Sequence, residues 1–407
     1  MSQVTVSLAG SRYTPSGLRV NAKELHKPRV QWLNTGWLCV FAAATLSVLG
    51  IVAISTTEPS LALRQVIHLG IGIVGAAIVA APHYRWVHRA SYPAMIVVLL
   101  MLVFVLIPWV PEAIVRPRNG ARRWINLGIT DFQPSELAKI AYIIALAAYL
   151  RYRANYRTFR GLLLPLVLSF IPLGLILREP DLGTAMLFLP TFFAMMIAAG
   201  AKIRHIVLII VLGISLAPLT YPMLRPHQKG RIQAMIAQVT GDPRYEDDLG
   251  YQGARAMTLV GAGGIMGVGK QKAADLVRFN HLPEEHNDMI FAVICCRWGV
   301  AGALATWSVF ILFALGGILT AGQSKDPFGR LVAVGVVAMI ISQMTINTGM
   351  TIGVLPITGL TLPFISYGGS SLVVAWLMVG LLLNIALRRP QYLARKSFEF
   401  DERSDQA

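Results

Sequence analysis

Apolar runs long enough to cross a bilayer recur from residue 35 almost to the C-terminus, and no other feature of the chain limits its fold as much. They lie at about 35–55, 65–82, 92–110, 134–150, 162–178, 183–200, 205–222, 289–319, 330–349 and 369–387. Each is near the ~20 residues that a membrane helix requires. Within lipid, backbone N–H and C=O groups must be satisfied internally, and a run of this length does so as a helix. The expected fold is an all-α polytopic membrane protein of about ten transmembrane helices. The run at 289–319 is too long for one straight crossing, so it is expected to tilt or to begin outside the bilayer.

Composition agrees. Of the 407 residues, 55% are hydrophobic and 14% charged, whereas soluble domains carry about 25% charge. Residues 1–34 read as a basic extension, 35–388 as the membrane domain and 389–407 as a polar tail. The polar start argues against a cleavable leader, so the first span, Trp37 to Ile54, is expected to remain as an anchor.

A net charge of +16 suggests nucleic acid in a soluble protein, but here topology accounts for it. With the N-terminus inside, the cytoplasmic segments hold 20 Lys and Arg, and the short segments on the opposite side hold 6. The bias toward inside-facing cations places both termini in the cytoplasm. The one long polar loop, 223–288, then faces outward between helices 7 and 8. No nucleic-acid partner is expected.

Two glycine motifs are set aside. Gly70 to Gly75, GIGIVG, fits a dinucleotide pattern but lies inside an apolar run without strand context, so close helix packing explains it better. Gly264 to Gln271, GIMGVGKQ, has Gln271 where a magnesium-binding Ser or Thr belongs, and it reads as a re-entrant or interfacial turn. Cys39, Cys295 and Cys296 lie in apolar runs and read as small buried hydrophobes.

Polar clusters gather toward the outer side. Asn119 to Gly128, NGARRWINLG, holds Arg122, Arg123 and Trp124. A belt tryptophan with snorkelling arginines is one reading; four arginines from Arg116 to Arg123, against the charge bias, favour an anion site. In Phe132 to Lys139, FQPSELAK, Pro134 suits a first helical turn that Gln133 or Ser135 can cap, and Glu136 and Lys139 share one helical face. A buried structural ion pair is the alternative there. Arg178 to Ala185, REPDLGTA, brings Glu179 and Asp181, the latter also a natural helix cap.

Leu282 to Val293, LPEEHNDMIFAV, ends the long loop with Asp288 as its innermost acid. Asp288 can be a helix cap, or a carboxylate held at the bilayer surface as a general base. Gly353 to Ser371, GVLPITGLTLPFISYGGSS, is uncharged and rich in Pro and Gly, and reads as the wall or floor of a pocket, with Ser366 a candidate substrate contact.

Taken together, NGARRWI, FQPSELAK, EPDLGTA, LPEEHNDMIFAV and LPFISYGGSS resemble, in order, the motifs of the SEDS family of shape, elongation, division and sporulation proteins, over about residues 35–390. The resemblance implies a GT-C-like membrane glycosyltransferase that polymerises undecaprenyl-linked lipid II into peptidoglycan, assisted by a divalent cation, Mg2+ or Mn2+. It implies a class B penicillin-binding protein as partner, among other division or elongation proteins, in the bacterial cytoplasmic membrane. The family's essential aspartate falls on Asp288, as catalytic residue or metal ligand. Substrate contacts fall on Arg122, Arg123, Trp124, Glu136, Lys139, Glu179, Asp181 and Ser366. Cys295 to Trp298 depart from the glutamates usual in relatives, and the basic N-terminal extension leans toward the division branch. The alternatives are a lipid II flippase, with Glu136 and Lys139 as coupling charges, and a non-enzymatic scaffold.

Overall fold

A computed structural model describes residues 11–13, 19–21, 34–118, 121–126, 128, 131–151, 160–223, 229–230, 233, 236 and 250–388. Most of the 1–34 extension, the 389–407 tail and most of 224–249 in the long loop lie outside the described residues. A short antiparallel pair, β1 (Ser11–Tyr13) with β2 (Arg19–Asn21), precedes the helices.

All ten apolar runs are helical. In chain order the helices are α1 (Gly36–Ile54), α2 (Pro59–Ala80), α3 (Tyr84–Leu106), α4 (Pro134–Leu150), α5 (Leu163–Arg178), α6 (Leu182–Ala199), α7 (Ile203–Thr220), α8 (Tyr251–Gly263), α9 (Lys270–Asn280), α10 (Ile290–Gln323), α11 (Pro327–Thr351) and α12 (Gly369–Leu387). Among the described residues, α1, α2, α3, α6, α10, α11 and α12 are long and apolar enough to cross a membrane. Several begin earlier than the apolar runs do. Proline opens α2, α4 and α11 at the first turn, where its missing N–H costs nothing. Polar first turns such as Tyr84 to Arg89 of α3 lie below any hydropathy threshold yet remain helical.

The interior is built on α11, α12 and α4. The apolar windows of α11 and α12 are 67% and 78% buried, against 17% for α2, which lies at the rim. On α2, Gly72 and Gly75 of the GIGIVG run face Trp376 and Leu377 of α12, as a packing role requires. The described part of the NGARRWI motif, from Ala121 to Ile125, is a strand and not a helix. A three-stranded antiparallel sheet, β3 (Val115–Arg118), β4 (Ala121–Asn126) and β5 (Asp131–Phe132), joins α3 to α4.

The long run at 290–323 is broken rather than merely tilted. Gly299 has φ 66° and ψ −160°, a conformation that interrupts the helix and that side-chain-bearing residues rarely adopt. At 1.5 Å per residue, Val300 to Gln323 spans about 36 Å, sufficient to cross the bilayer without the first part. The break strands backbone groups, and the GIMGVGKQ turn satisfies them. Val268 and Gly269 donate N–H to the carbonyls of Cys296 and Arg297 at 3.0 and 3.2 Å, while Val300 and Ala301 donate to those of Gly264 and Ile265 at 2.9 and 3.1 Å. A Cβ on Gly267 would meet the Arg297 carbonyl, and one on Gly299 the Ile265 carbonyl, so two backbones approach here as only glycine allows.

The Cys–Cys–Arg–Trp run has a structural use. Arg297 donates to the Val52 carbonyl at 2.8 Å and to Thr56 Oγ1 at 2.7 Å, and its guanidinium lies 4.2 Å from the Trp298 ring centroid. A cation at the last turn of α1 complements the negative end of that helix. The three cysteines are free and buried, as expected.

Candidate active site

Glu136 and Lys139, one turn apart at the start of α4, form an ion pair of 2.8 Å with side chains only 7% and 2% exposed. Charges this dry persist when paired and further hydrogen-bonded. Lys139 Nζ also donates to Gln343 Oε1 at 3.1 Å. From α11, Gln343 Nε2 donates to the Thr361 carbonyl at 2.8 Å and to its hydroxyl at 3.2 Å, and that hydroxyl meets the Ser371 hydroxyl at 3.0 Å.

Asn347 lies one turn beyond Gln343 on the same face of α11. Its Nδ2 donates to the main-chain carbonyls of Asp288, at 2.7 Å, and Leu360, at 2.6 Å. Those two bonds tie the end of the long loop to the 353–371 segment. Asp288 is buried, and the N-cap of α10 is Met289, so Asp288 stands one residue before the cap position. Its Oδ1 lies 3.4 Å from Gln252 Nε2 on α8. Ser366 Oγ donates to the Asn287 carbonyl at 2.6 Å and accepts from the Leu362 N–H at 2.7 Å. The expected pocket wall therefore holds the peptides on both sides of the site.

The EPDLGTA and FQPSELAK motifs meet each other. Asp181 caps α6, accepting from the Thr184 N–H at 3.1 Å. Gln133 and Ser135 do not cap α4; their side chains donate to Asp181 Oδ2 at 3.1 and 3.2 Å instead, because that buried carboxylate offers a charged acceptor. Ser370 Oγ accepts from the Gln133 N–H at 3.3 Å, which joins this cluster to the 353–371 segment.

Arg122 and Arg123 are placed differently from a free anion cradle. Arg122 donates to the carbonyls of Pro108 and Val110, and Arg123 to those of Glu179 and Pro180. Both guanidinium groups thus fasten β4 to neighbouring loops. Trp124 stands opposite Arg116 in the sheet.

Glu179 lies in the connection between α5 and α6, 1% exposed, and neither carboxyl oxygen has a hydrogen-bond partner among the described residues. Burial, and after it the charge of Asp181, push its carboxyl from 4.5 up to about 8, against the pull of Arg123. The unfolded chain ionises this group above about pH 4.5, while the folded chain keeps it protonated to about 8. The stability it contributes is complete below the lower value and is lost as pH rises through the upper one. Glu179→Gln should therefore be more stable than the unaltered protein at pH 9, by on the order of 5 kcal/mol, and melt higher there, but not at pH 5. An equal shift at both values would refute this.

Sequence reasoning passed over Gln252, Gln343, Asn347, Thr361 and Gln65. A signal for two of them was present: Gln343 and Asn347 are polar, four residues apart, and inside an apolar run. Interhelical hydrogen bonding is the usual reason for such residues. Among the described residues no three His, Cys, Asp or Glu side chains gather as a metal cluster. A single buried carboxylate still suits magnesium, which takes one or two carboxylates and completes its shell with water and substrate phosphate.

Fold and site together define a multi-pass helical membrane protein that concentrates buried charge and polar contacts around one non-helical segment. The chain belongs to the cell cycle protein family of FtsW, RodA and SpoVE, whose profile matches residues 27–391. It is 36% identical to the stage V sporulation protein E of Bacillus subtilis, over 80% of this chain and 86% of that one. It is 37% identical to the "Probable peptidoglycan glycosyltransferase FtsW" of Nitrosomonas europaea, over 79% and 81%. Among solved structures it resembles the rod shape determining protein RodA of Thermus thermophilus, with TM-score 0.65 and 29% identity over 89% and 99% of the two chains. A chain from a structure on the coordination of polymerization and crosslinking by a peptidoglycan synthase complex matches with TM-score 0.75 and 30% identity over 88% and 98%.

Proposed function

We propose that this protein is a peptidoglycan glycosyltransferase that polymerises lipid II at the outer face of the bacterial cytoplasmic membrane, for division or elongation. Both termini lie inside, and a class B penicillin-binding protein is its partner. One observation carries the reading: the buried Asp288 is joined through Asn347, Gln343 and the 353–371 segment to the buried Glu136–Lys139 pair. Buried ionisable groups in a membrane bundle mark functional sites. The glycosyltransferase names of the relatives and the peptidoglycan synthase complex among the structural neighbours support it.

In this reading the 4-hydroxyl of an incoming lipid II attacks the anomeric carbon of the growing strand. The bond from that carbon to the undecaprenyl pyrophosphate breaks, and the pyrophosphate leaves with the electron pair. Asp288 takes the hydroxyl proton. Pyrophosphate is a weak base, so the second carboxylate that a glycosidase needs as general acid is dispensable. Asp288 is also the residue that would hold a divalent cation, magnesium or manganese, which when bound would supply counter-charge to the pyrophosphate oxygens. Lys139, fixed by Glu136 and Gln343, provides a positive charge within the same network.

The purified protein, together with a class B penicillin-binding protein whose crosslinking is blocked, should convert lipid II into long strands. Lipid movement across vesicles with no strand formation would point to a flippase instead.

A further inference from the structure

We propose that His68, Tyr367 and His286 form a saccharide-binding face beside Asp288 that takes the pyranose rings of the glycan strand, an inference that rests on the polymerase reading above. The rings come from three separate parts of the chain: α2, the 353–371 segment and the loop that leads into α10. Tyr367 stands between the imidazoles, with centroids 6.2 Å from His68 and 5.8 Å from His286 and planes inclined at 56° and 69°. All three residues are partly exposed.

The central ring is held unusually firmly for an exposed one. The Tyr367 N–H donates to the His286 carbonyl at 2.8 Å. Gln65 of α2 donates to the Ser366 carbonyl at 2.8 Å and accepts from the Gly368 N–H at 3.4 Å, bracketing Tyr367 on both sides. Gly368 and Gly369 then place no side chain between Tyr367 and α2. A Cβ on Gly369 would lie 2.9 Å from His68 Nε2, so the ring spacing depends on that glycine. The backbone is fixed, yet the Tyr367 hydroxyl has no hydrogen-bond partner among the described residues. Nδ1 of His68 and Nδ1 of His286 also lack one there, although the Glu285 carboxylate is 3.9 Å from the latter.

The two unmet imidazole nitrogens are buried, and leaving a buried polar atom unmet costs about 1–3 kcal/mol, so rings kept purely for packing usually satisfy theirs. Preorganised rings with a free hydroxyl suit a ligand that is apolar on its face and polar at its rim. A pyranose is such a ligand: its C–H face lies on an aromatic plane and its hydroxyl and acetamido groups reach outward. Charge separates this from a phosphate site. The ionisable groups acting on His286 are Glu285, Glu284 and Glu58, all acidic, with Arg64 acting on His68. A surround richer in carboxylates than in cations repels pyrophosphate and accepts neutral sugar donors. The face also adjoins the reaction centre, since Ser366 holds the Asn287 carbonyl at 2.6 Å, one residue from Asp288.

The test uses the full-length protein in detergent and a soluble, lipid-free oligosaccharide of alternating N-acetylglucosamine and N-acetylmuramic acid whose lactyl carboxyls are amidated, so that the probe is neutral, with binding measured by calorimetry. Tyr367→Ala should weaken binding at least tenfold. Tyr367→Phe, which removes only an unpartnered hydroxyl and so leaves the fold intact, should weaken it severalfold. Unaltered affinity in both Tyr367 variants overturns the inference. A wild-type protein that makes strands but binds no soluble glycan overturns it alone; one that binds glycan but makes no strands overturns the polymerase reading and leaves the binding face standing.

Discussion

Asp288→Asn should abolish strand synthesis while leaving the protein folded. An amide matches the carboxylate in shape but cannot accept the hydroxyl proton, and loss of a general base costs about 10²–10⁴ in rate. The bond from Asn347 reaches the main-chain carbonyl of Asp288, so the substitution does not disturb it. Gln252 lies within reach of either side chain. Expression and melting temperature should therefore stay near those of the unaltered protein as polymerisation disappears. A variant that polymerises lipid II at the normal rate would remove Asp288 from the chemistry.

Lys139→Met is the second large effect, and stability registers it first. It leaves Glu136 charged and unpaired among the helices, and breaking a buried pair from one side costs about 3–5 kcal/mol. It also strips Gln343 Oε1 of the donor it has from Lys139. Pairing the change with Glu136→Gln removes the stranded charge, so the double variant should regain most of the lost melting temperature. Its strand synthesis should stay low, because the positive charge in the network is gone. Recovery of both properties together would make the pair a structural element alone.

The helices were readable because hydropathy and helix length are tied by the thickness of the bilayer. Their starts were not, because polar first turns such as Tyr84 to Arg89 continue a helix that hydropathy has already ended. Asp288 was legible as an acid poised at the edge of an apolar run. Gln343 and Asn347, which hold its neighbourhood together, were missed because two neutral amides barely change the average of a long apolar run. Gln252 was missed for a different reason: it contacts Asp288 only after the chain between them has folded back as α8 and α9. Arg122 and Arg123 were read as anion ligands from charge alone, and charge cannot reveal which carbonyls a fold will present. Gln133 and Ser135 show the same limit, since their roles depend on Asp181, more than 40 residues away in sequence.

The break at Gly299 bears on how the enzyme meets membranes of different thickness. A transmembrane helix adjusts to a thinner or thicker bilayer chiefly by tilting. In an unbroken α10 that tilt would swing the residues at its N-terminal end through a wide arc. Here a lean of the part that ends at Gln323 starts from a fixed point, because the 264–269 backbone holds both sides of the break, Cys296 and Arg297 before it and Val300 and Ala301 after it, and Arg297 grips α1. Changes in lipid composition are thereby kept from displacing Asp288.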